Sequence, residues 1–158
     1  MLNVYLSARF SRAADCERAA AQIRAAGHEV TSRWHRPDSD HRTPATEYGA
    51  GADEFRARCA REDLEDLQAS DVLIFFNETQ DSEGRRGGRH VEFGLAYAAG
   101  QLCVILGKPS NVFHYLPGVP IVDSLPAAIE ILNGLAIANP KQDEPITALN
   151  VRADLLDQ

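Results

Sequence analysis

The feature that most constrains the fold is a pair of short apolar runs that enclose an alanine-rich segment. Val72–Phe76 reads Val-Leu-Ile-Phe-Phe, and Leu102–Leu106 reads Leu-Cys-Val-Ile-Leu. Unbroken apolar runs of this length are typical of strands that are buried on both faces of a parallel sheet. The alanine-rich residues between them predict a helix. A strand–helix–strand crossover of this kind is expected to be right-handed.

The same alternation of strand and helix continues through residues 1–139. Strands are expected at residues 2–7, 28–34, 72–76, 102–106 and 120–122, and helices after Ser11, over residues 53–70, from about residue 88 and over residues 125–139. This pattern predicts a single doubly wound α/β domain with helices on both faces of a five-stranded parallel sheet. A strand order of 2-1-3-4-5 places a switch point between strands 1 and 3. Ligands of such sheets bind there, outside the carboxyl ends of the strands.

The boundaries of these elements follow from individual residues. Ser11 is expected to cap the first helix and Gly27 to end it. The second strand is the least apolar and is expected at a sheet edge. Residues 35–51 are polar and lack periodicity. Loops of this length are usually functional lids or disordered, and we expect a lid that covers the site. The polar, acidic residues 140–158 are expected to form a tail that is loose or docked on a neighbouring subunit.

Composition excludes several classes of function. A chain of 158 residues suits one domain, and its net charge of −7 argues against binding to a nucleic-acid backbone. No apolar run approaches the ~20 residues of a membrane span, and the first residues lack the pattern of a signal sequence. Three widely spaced cysteines favour reduced thiols and a cytoplasmic location. The scattered histidines show no metal signature, the phosphate-binding glycine motifs are absent, and no cofactor is expected.

Polar and aromatic side chains converge on the predicted switch point. They are Tyr5, Ser7, Arg9 and Phe10 at the end of strand 1, and Asn77, Arg86, Gly87 and Gly88 after strand 3. An arginine and an aromatic ring at the mouth could hold an anion and a flat base, and two glycines permit a ligand to approach the backbone closely. Gly-Gly before a helix is weak evidence alone, because it usually indicates only a tight turn.

Glu92 is expected in the first turn of the helix that follows the double glycine. Free backbone N–H groups and the positive end of the helix dipole would keep its carboxylate ionised there. The commoner role of such a residue is to stabilise the helix dipole and nothing more. Both roles are open on pattern alone.

Asp63 lies inside the apolar stripe that Phe55, Cys59, Leu64 and Leu67 trace on the helix at residues 53–70. A carboxylate in that setting is costly unless it is paired or used, and its pKa is expected to be raised. Alternatively, the helix is rotated slightly and Asp63 lies solvated at the border of the stripe. The pattern favours neither interpretation.

Two carboxyl groups and a tyrosine at one cleft suit chemistry at a glycosidic bond. An ionised carboxylate, Glu92, can attack an anomeric carbon whose transition state resembles an oxocarbenium ion. A protonated carboxyl group, Asp63, can give its proton to the leaving group. The two acids would thus have different roles.

Three separated motifs resemble the nucleoside 2-deoxyribosyltransferase family and its relatives that hydrolyse nucleoside 5′-monophosphates. They are Val4-Tyr5-Leu6-Ser7, Asp63-Leu64-x-x-Leu67-x-x-Ser70-Asp71-Val72 and Gly88-x-x-x-Glu92-x-Gly94-x-Ala96-x-Ala98-x-Gly100. The motifs occur in order, and the resemblance covers roughly residues 2–125. It implies a flavodoxin-like fold and a retaining mechanism.

The resemblance also implies roles for individual residues. Glu92 matches the nucleophile that forms a covalent deoxyribosyl intermediate, Asp63 the acid that serves the nucleobase, and Tyr5 the residue that orients the nucleophile. Asn111 resembles a residue that a neighbouring subunit lends to the 5′ side of the sugar, which implies a homo-oligomer, and Asp71 looks structural.

Arg86 departs from the family pattern. Transferases carry at this place an acid that contacts the base, and the monophosphate hydrolases carry a serine that contacts phosphate. A guanidinium suits a phosphate better than a sugar hydroxyl. His90 also stands where a glycine is common.

The leading hypothesis is therefore an enzyme that cleaves or transfers the N-glycosidic bond of a (2′-deoxy)nucleoside or its 5′-monophosphate. The alternatives are a phosphoribohydrolase that acts on ribonucleoside 5′-monophosphates and a nucleotide-binding module without catalysis. Retention of Tyr5, Asp63 and Glu92 argues against the module. The expected partners are a small nucleoside or nucleotide and further copies of the chain, without nucleic acid or membrane.

Overall fold

The computed structural model describes residues 1–39, 41, 51–77 and 87–138. In this part of the chain five parallel strands form one sheet in the order β2-β1-β3-β4-β5. The strands are β1 (Asn3–Ser7), β2 (Glu29–Val30), β3 (Val72–Phe76), β4 (Leu102–Leu106) and β5 (Ile121–Val122). The predicted doubly wound fold and strand order are confirmed.

Four helices cover the sheet. They are α1 (Ala13–Ala25), α2 (Ala52–Gln68), α3 (Gly88–Ala98) and α4 (Leu125–Ala138), with short 3₁₀ turns at Phe10–Arg12 and Val112–Tyr115. Right-handed crossovers in this strand order place α2 and α3 together on one face, and these two helices contact each other. All five residues of β3 are buried, as expected for a strand covered on both sides.

The second strand is shorter than the predicted residues 28–34. The last backbone bond of this edge runs from the Thr31 N–H to the Val4 carbonyl at 2.9 Å, and side chains replace the strand ladder beyond it. The Leu6 N–H donates to the Ser32 hydroxyl at 3.2 Å, and the Trp34 indole donates to the Leu6 carbonyl at 2.8 Å. His35 then contacts Ser32 and Glu17 through its two ring nitrogens. The backbone groups of β1 are thus satisfied without a longer edge strand, so the chain can leave the sheet early.

Two helix predictions also need correction. Ser11 does not cap the first helix, because it lies inside the 3₁₀ turn and α1 begins at Ala13. On α2, Leu64 is 40% exposed whereas Asp66 is buried, so the buried face of the helix is rotated from the predicted stripe. Gly27 does end α1, with a left-handed φ of 88°.

Several predicted features lie outside the described residues. They are most of the lid at residues 35–51, the loop at residues 78–86 with Arg86, and the tail at residues 140–158. In the ranges that the structure does describe, every helix is too short or too polar to cross a membrane.

Candidate active site

Strand β1 and helix α3 bring Ser7 and Glu92 into direct contact. Ser7 ends β1, beside β3 and at the switch point of the sheet. Its hydroxyl donates to Oε2 of Glu92 at 2.5 Å, and Ser7 is fully buried. A hydroxyl that donates to a carboxylate favours the ionised form. A hydrogen-bonded carboxylate therefore lies at the carboxyl end of the central strands. This is the place where ligands of this fold are expected to bind.

Glu92 does not lie in the first turn of its helix. Helix α3 begins at Gly88, and Glu92 is its fifth residue, so the free N–H groups of the helix start are one turn away. Burial raises the pKa of Glu92, and the hydroxyls of Ser7 and Tyr5 lower it. The expectation that the helix start holds Glu92 ionised is wrong, because the donors to the carboxylate are side-chain hydroxyls instead.

Tyr5 is buried on β1 next to the same carboxylate. Burial and then the charge of Glu92 raise the pKa of Tyr5 well above its ordinary value, so its hydroxyl stays protonated. The hydroxyl has no partner of standard hydrogen-bond geometry among the described residues. Its influence on the pKa of Glu92 nevertheless shows that the two groups are close. Tyr5 is therefore a donor that a small movement can align with Glu92.

Asp63 on α2 faces the same group from the next helix. Burial, then the charge of Glu92, raise its pKa to about 7, against the opposing charge of His41. Its Oδ1 is buried and has no hydrogen-bond partner within the described ranges. The helix is rotated, as the alternative interpretation supposes, but Asp63 is not fully solvated, because the residue is half-buried and its Oδ1 is buried. The charge of a second acid, Glu92, reaches this carboxyl group.

The different surroundings of the two acids decide which one holds a proton near neutral pH. Two carboxyl groups that act on each other by their charges do not both ionise cheaply, so the ionisation of one depends on that of the other. Hydroxyl donors stabilise the anion of Glu92, whereas Oδ1 of Asp63 lacks such a donor in the described part of the chain. The arrangement therefore favours an ionised Glu92 and a protonated Asp63.

Arg9 and Phe10 lie at the mouth of this site, directly after β1. Arg9 precedes the 3₁₀ turn and is half-buried. The Phe10 ring is 48% exposed and lies 6.5 Å from the ring of the buried Trp34. An exposed ring with a fixed support is suited to stack on a planar group.

Asn77 is near the site, but its side chain is already bonded within the chain. Its amide N–H donates to the Lys108 carbonyl, and its Oδ1 accepts from the Ser110 hydroxyl at 2.9 Å. The Arg12 guanidinium donates to its backbone carbonyl at 3.2 Å. Asn77 thus fastens the segment after β4 to the end of β3.

The remaining predicted residues have open surroundings or local bonds. Gly87 has an ordinary φ of −80°, and a Cβ at Gly87 or Gly88 would meet no atom of the described residues within 4 Å. Neither backbone strain nor a close contact with the described part of the chain therefore requires glycine at these positions. Asn111 accepts the Phe113 N–H at 2.9 Å and so caps the second 3₁₀ turn.

A separate pocket of about 310 Å³ lies on another side of α3. It is lined by His90, Phe93, Gly94, Tyr97, Asn111, Phe113, His114 and Leu116. Tyr5, Asp63 and Glu92 do not line this pocket. Among the described residues, no group of three or more acids, histidines and cysteines is arranged to hold a metal ion.

Two residues near the site were not predicted from the sequence. His41 has a 6% exposed side chain, and its Nε2 lies 3.3 Å from the Glu62 carboxylate. Asp66 is buried and forms an ion pair with Arg33. His41 stands in a polar segment without periodicity, and Asp66 falls outside the predicted stripe, so neither carried a signal in the sequence.

Comparison with known proteins identifies the fold of the chain but does not assign the chain to a family. No protein-family model matches the chain, and no curated protein matches it. The structure is similar to a 2-deoxyribosyltransferase from Bacillus psychrosaccharolyticus, with 19% identity and a TM-score of 0.56 over 80% of this chain and 90% of that one. A CMP N-glycosidase from Clostridium botulinum also matches, with 18% identity and a TM-score of 0.49 over 83% of this chain and 98% of that one. The chain therefore has the fold of a 2-deoxyribosyltransferase, which is the fold that the three sequence motifs imply.

Proposed function

We propose that the protein is an enzyme that cleaves or transfers the N-glycosidic bond of a (2′-deoxy)nucleoside or its 5′-monophosphate. The observation that carries this proposal is the pair of facing carboxyl groups with unlike surroundings, Glu92 with its hydroxyl donor and Asp63 with a pKa raised to about 7. Acids with separated roles are what glycosidic chemistry requires. The fold shared with a 2-deoxyribosyltransferase is consistent with it.

In the first step, Glu92 is the nucleophile and Asp63 the acid. A carboxylate oxygen of Glu92 forms a bond to C1′ as the bond from C1′ to the base nitrogen breaks. The electron pair of the broken bond leaves with the base, which takes the proton of Asp63. The products of this step are a glycosyl ester of Glu92, a free base and an ionised Asp63. Ser7 holds the attacking carboxylate by its hydroxyl, and the Tyr5 hydroxyl lowers the pKa of the same group.

In the second step, the ester is released to an acceptor. Water or a second base attacks C1′, the bond to Glu92 breaks, and Asp63 takes a proton from the acceptor. Hydrolysis and transfer therefore use the same intermediate, and exclusion of water decides between them.

Two arginines, one placed by the structure and one known from the sequence alone, favour a phosphorylated substrate. Arg9 follows β1 at the switch point, and Arg86 stands six residues before the nucleophile in the sequence. Guanidinium groups bind phosphate oxygens through paired, charge-assisted hydrogen bonds. Together with Phe10 for the base, they suit a nucleoside 5′-monophosphate better than a free nucleoside.

The decisive experiment incubates the pure protein with ribo- and deoxynucleosides and their 5′-monophosphates, with and without a second free base. Chromatography follows the free base and any new nucleoside. We expect base release from 5′-monophosphates, and loss of at least about 10³-fold in Glu92→Gln, which keeps the size of the side chain but removes the nucleophile. Ser124→Ala, which lies at the start of α4, is the matched control and should keep full activity.

Each other outcome of this panel assigns a different function. Release from ribonucleotides alone supports a phosphoribohydrolase, and a new nucleoside supports a transferase. Binding without turnover across the panel supports the nucleotide-binding module. Full activity in Glu92→Gln contradicts the proposed mechanism.

A further inference from the structure

Helix α2 carries Asp63 but has little apolar surface buried against the domain. Its buried residues are Ala52, Asp66 and Leu67, while Leu64 is 40% exposed. Apolar packing supplies most of the force that holds a surface helix in place. A helix with two small or medium apolar anchors needs other contacts to fix its rotation. For a helix with a reactive carboxyl group, that rotation determines where the group points.

An ion pair with several hydrogen bonds supplies such a contact. Asp66 follows Asp63 by three residues, almost one helical turn. Its carboxylate accepts three different N–H groups from Arg33: the backbone N–H at 2.9 Å, Nε at 2.9 Å and Nη2 at 2.6 Å. The Asp66 side chain is only 7% exposed, whereas that of Arg33 is 40% exposed. A bidentate pair with an added backbone bond has one geometry, so it resists rotation.

The carboxyl end of the same helix is held separately. The Gln101 amide donates to the Leu67 carbonyl at 2.8 Å and to the Ser70 carbonyl at 2.5 Å. These bonds fix the end of α2 against the start of β4. They hold backbone carbonyl groups at the helix end, whereas Asp66 is held through its side chain, three residues after Asp63.

We propose that the Arg33–Asp66 ion pair is a positioning device that fixes the rotation of α2 and so aims the Asp63 carboxyl group at Glu92. This inference rests on the proposed function, in which Asp63 is the acid. Arg33 and Asp66 are positioning residues, since they act on the reaction through α2. Arg33 follows β2, so the pair connects the edge of the sheet to the helix of the acid.

The charges of the pair give a second way to test its contact with the turn of Asp63. The charged and titratable groups around Asp63 are Glu92 on α3, Tyr5 on β1, His41, and Glu62 and Asp66 on α2. The negative charge of Asp66 raises the pKa of Asp63. Removal of that charge is therefore expected to lower the pKa of Asp63. Arg33 neutralises Asp66 in the ion pair, so removal of the Arg33 charge is expected to raise the pKa of Asp63.

The test compares Asp66→Asn and Arg33→Gln with the wild type in two measurements. The first is the pKa of the Asp63 carboxyl group by carbon-detected NMR titration, which does not depend on activity. We expect a shift of about half a unit downward in Asp66→Asn and upward in Arg33→Gln. The second is the pH profile of steady-state base release. We expect kcat to fall about tenfold or more in both variants, with KM nearly unchanged.

Asp71→Asn is the matched control. The Asp71 carboxylate accepts the Asn3 N–H at 2.7 Å at the other end of the sheet. Its loss should lower the melting temperature without moving the pKa of Asp63. Circular dichroism checks that each variant is folded. If Arg33→Gln does not fold, Arg33→Lys replaces it. For Arg33→Lys we expect the same loss of kcat and no change in the pKa of Asp63, because the positive charge is kept.

The two measurements separate failure of the inference from failure of the proposed function. If no variant has activity because the wild type has none, opposite NMR shifts still support the positioning pair. Shifts in the same direction, or an unchanged pKa in both variants, overturn it. Unchanged kcat in an active enzyme overturns it as well.

Discussion

At the scale of single residues, hydroxyl groups give two carboxyl groups different preferences for the ionised form. Burial raises the pKa of both Glu92 and Asp63. Ser7 donates to Glu92 at 2.5 Å, and Tyr5 lowers the pKa of the same group. The anion is therefore stabilised on one acid and the proton is retained on the other. In the proposed mechanism, the neighbours of these similar side chains make one a nucleophile and the other an acid.

Ser7→Ala tests this assignment for the nucleophile. Loss of the hydroxyl removes a donor to Glu92, so the pKa of Glu92 rises further and less of it is ionised in weak acid. We expect the acidic limb of the activity profile to move to higher pH and kcat to fall roughly tenfold to a hundredfold. Ser110→Ala, which loses only a bond to Asn77, is the control. An unmoved acidic limb would contradict the assignment.

Asp63→Asn tests how much the raised pKa of Asp63 lowers the stability of the folded protein. The pKa of Asp63 in the folded protein is about 7, above its ordinary value, so the folded state binds more protons between about pH 4 and 7. The stability of the wild type therefore falls as pH rises through that window. We expect Asp63→Asn to raise the melting temperature by on the order of 5 °C at pH 8 and by much less at pH 4. A constant difference across pH would contradict the raised pKa.

The sequence identified the residues that the fold brings together in the candidate site better than it identified their surroundings. Tyr5, Asp63 and Glu92 could be identified because each falls in a motif tied to a strand end or a helix. The partners of the acids could not, because the contact of Ser7 with Glu92 joins residues 85 positions apart. Asp66 was hidden because its partner Arg33 lies beyond the short β2. Such distant pairs follow from packing and leave no local pattern.

At the scale of elements, side chains determine where β2 ends. Ser32 and Trp34 bind the N–H and carbonyl of Leu6, which a longer β2 would otherwise occupy. Apolar periodicity predicted the long buried strands correctly, because β3 and β4 keep the expected bounds. It cannot locate the end of an edge strand whose hydrogen bonds come from side chains.

Trp34→Phe tests whether the side-chain hydrogen bond to Leu6 stabilises the protein where β2 ends. Phenylalanine keeps an aromatic ring beside Phe10 but cannot donate to the buried Leu6 carbonyl. An unsatisfied buried carbonyl costs roughly 1–3 kcal/mol, which corresponds to a fall in melting temperature of about 3–10 °C for a chain of this size. Thermal unfolding followed by circular dichroism measures the change. A melting temperature equal to the wild type would show that water replaces the indole at no cost.

At the scale of the whole molecule, the surface beside Asn111 is unusually apolar. Val112 is 78%, Phe113 60% and Tyr115 69% exposed in the single chain. Val91 and Leu95 on α3 are exposed as well. The sequence motifs imply a homo-oligomer in which Asn111 reaches the site of a neighbouring subunit. Exposed aromatic residues next to that asparagine are consistent with such an interface.

A mixing experiment decides whether Asn111 acts across subunits. Glu92→Gln lacks the nucleophile, and Asn111→Asp keeps the acceptor for the Phe113 N–H but loses the amide donors. In a twofold dimer with shared sites, a hybrid of the two variants has one site with both defects and one intact site. Equal mixing after unfolding and refolding should therefore restore about a quarter of the wild-type activity, although each variant alone is inactive. If Asn111 serves its own subunit, every site in the hybrid carries one defect, and mixing restores nothing.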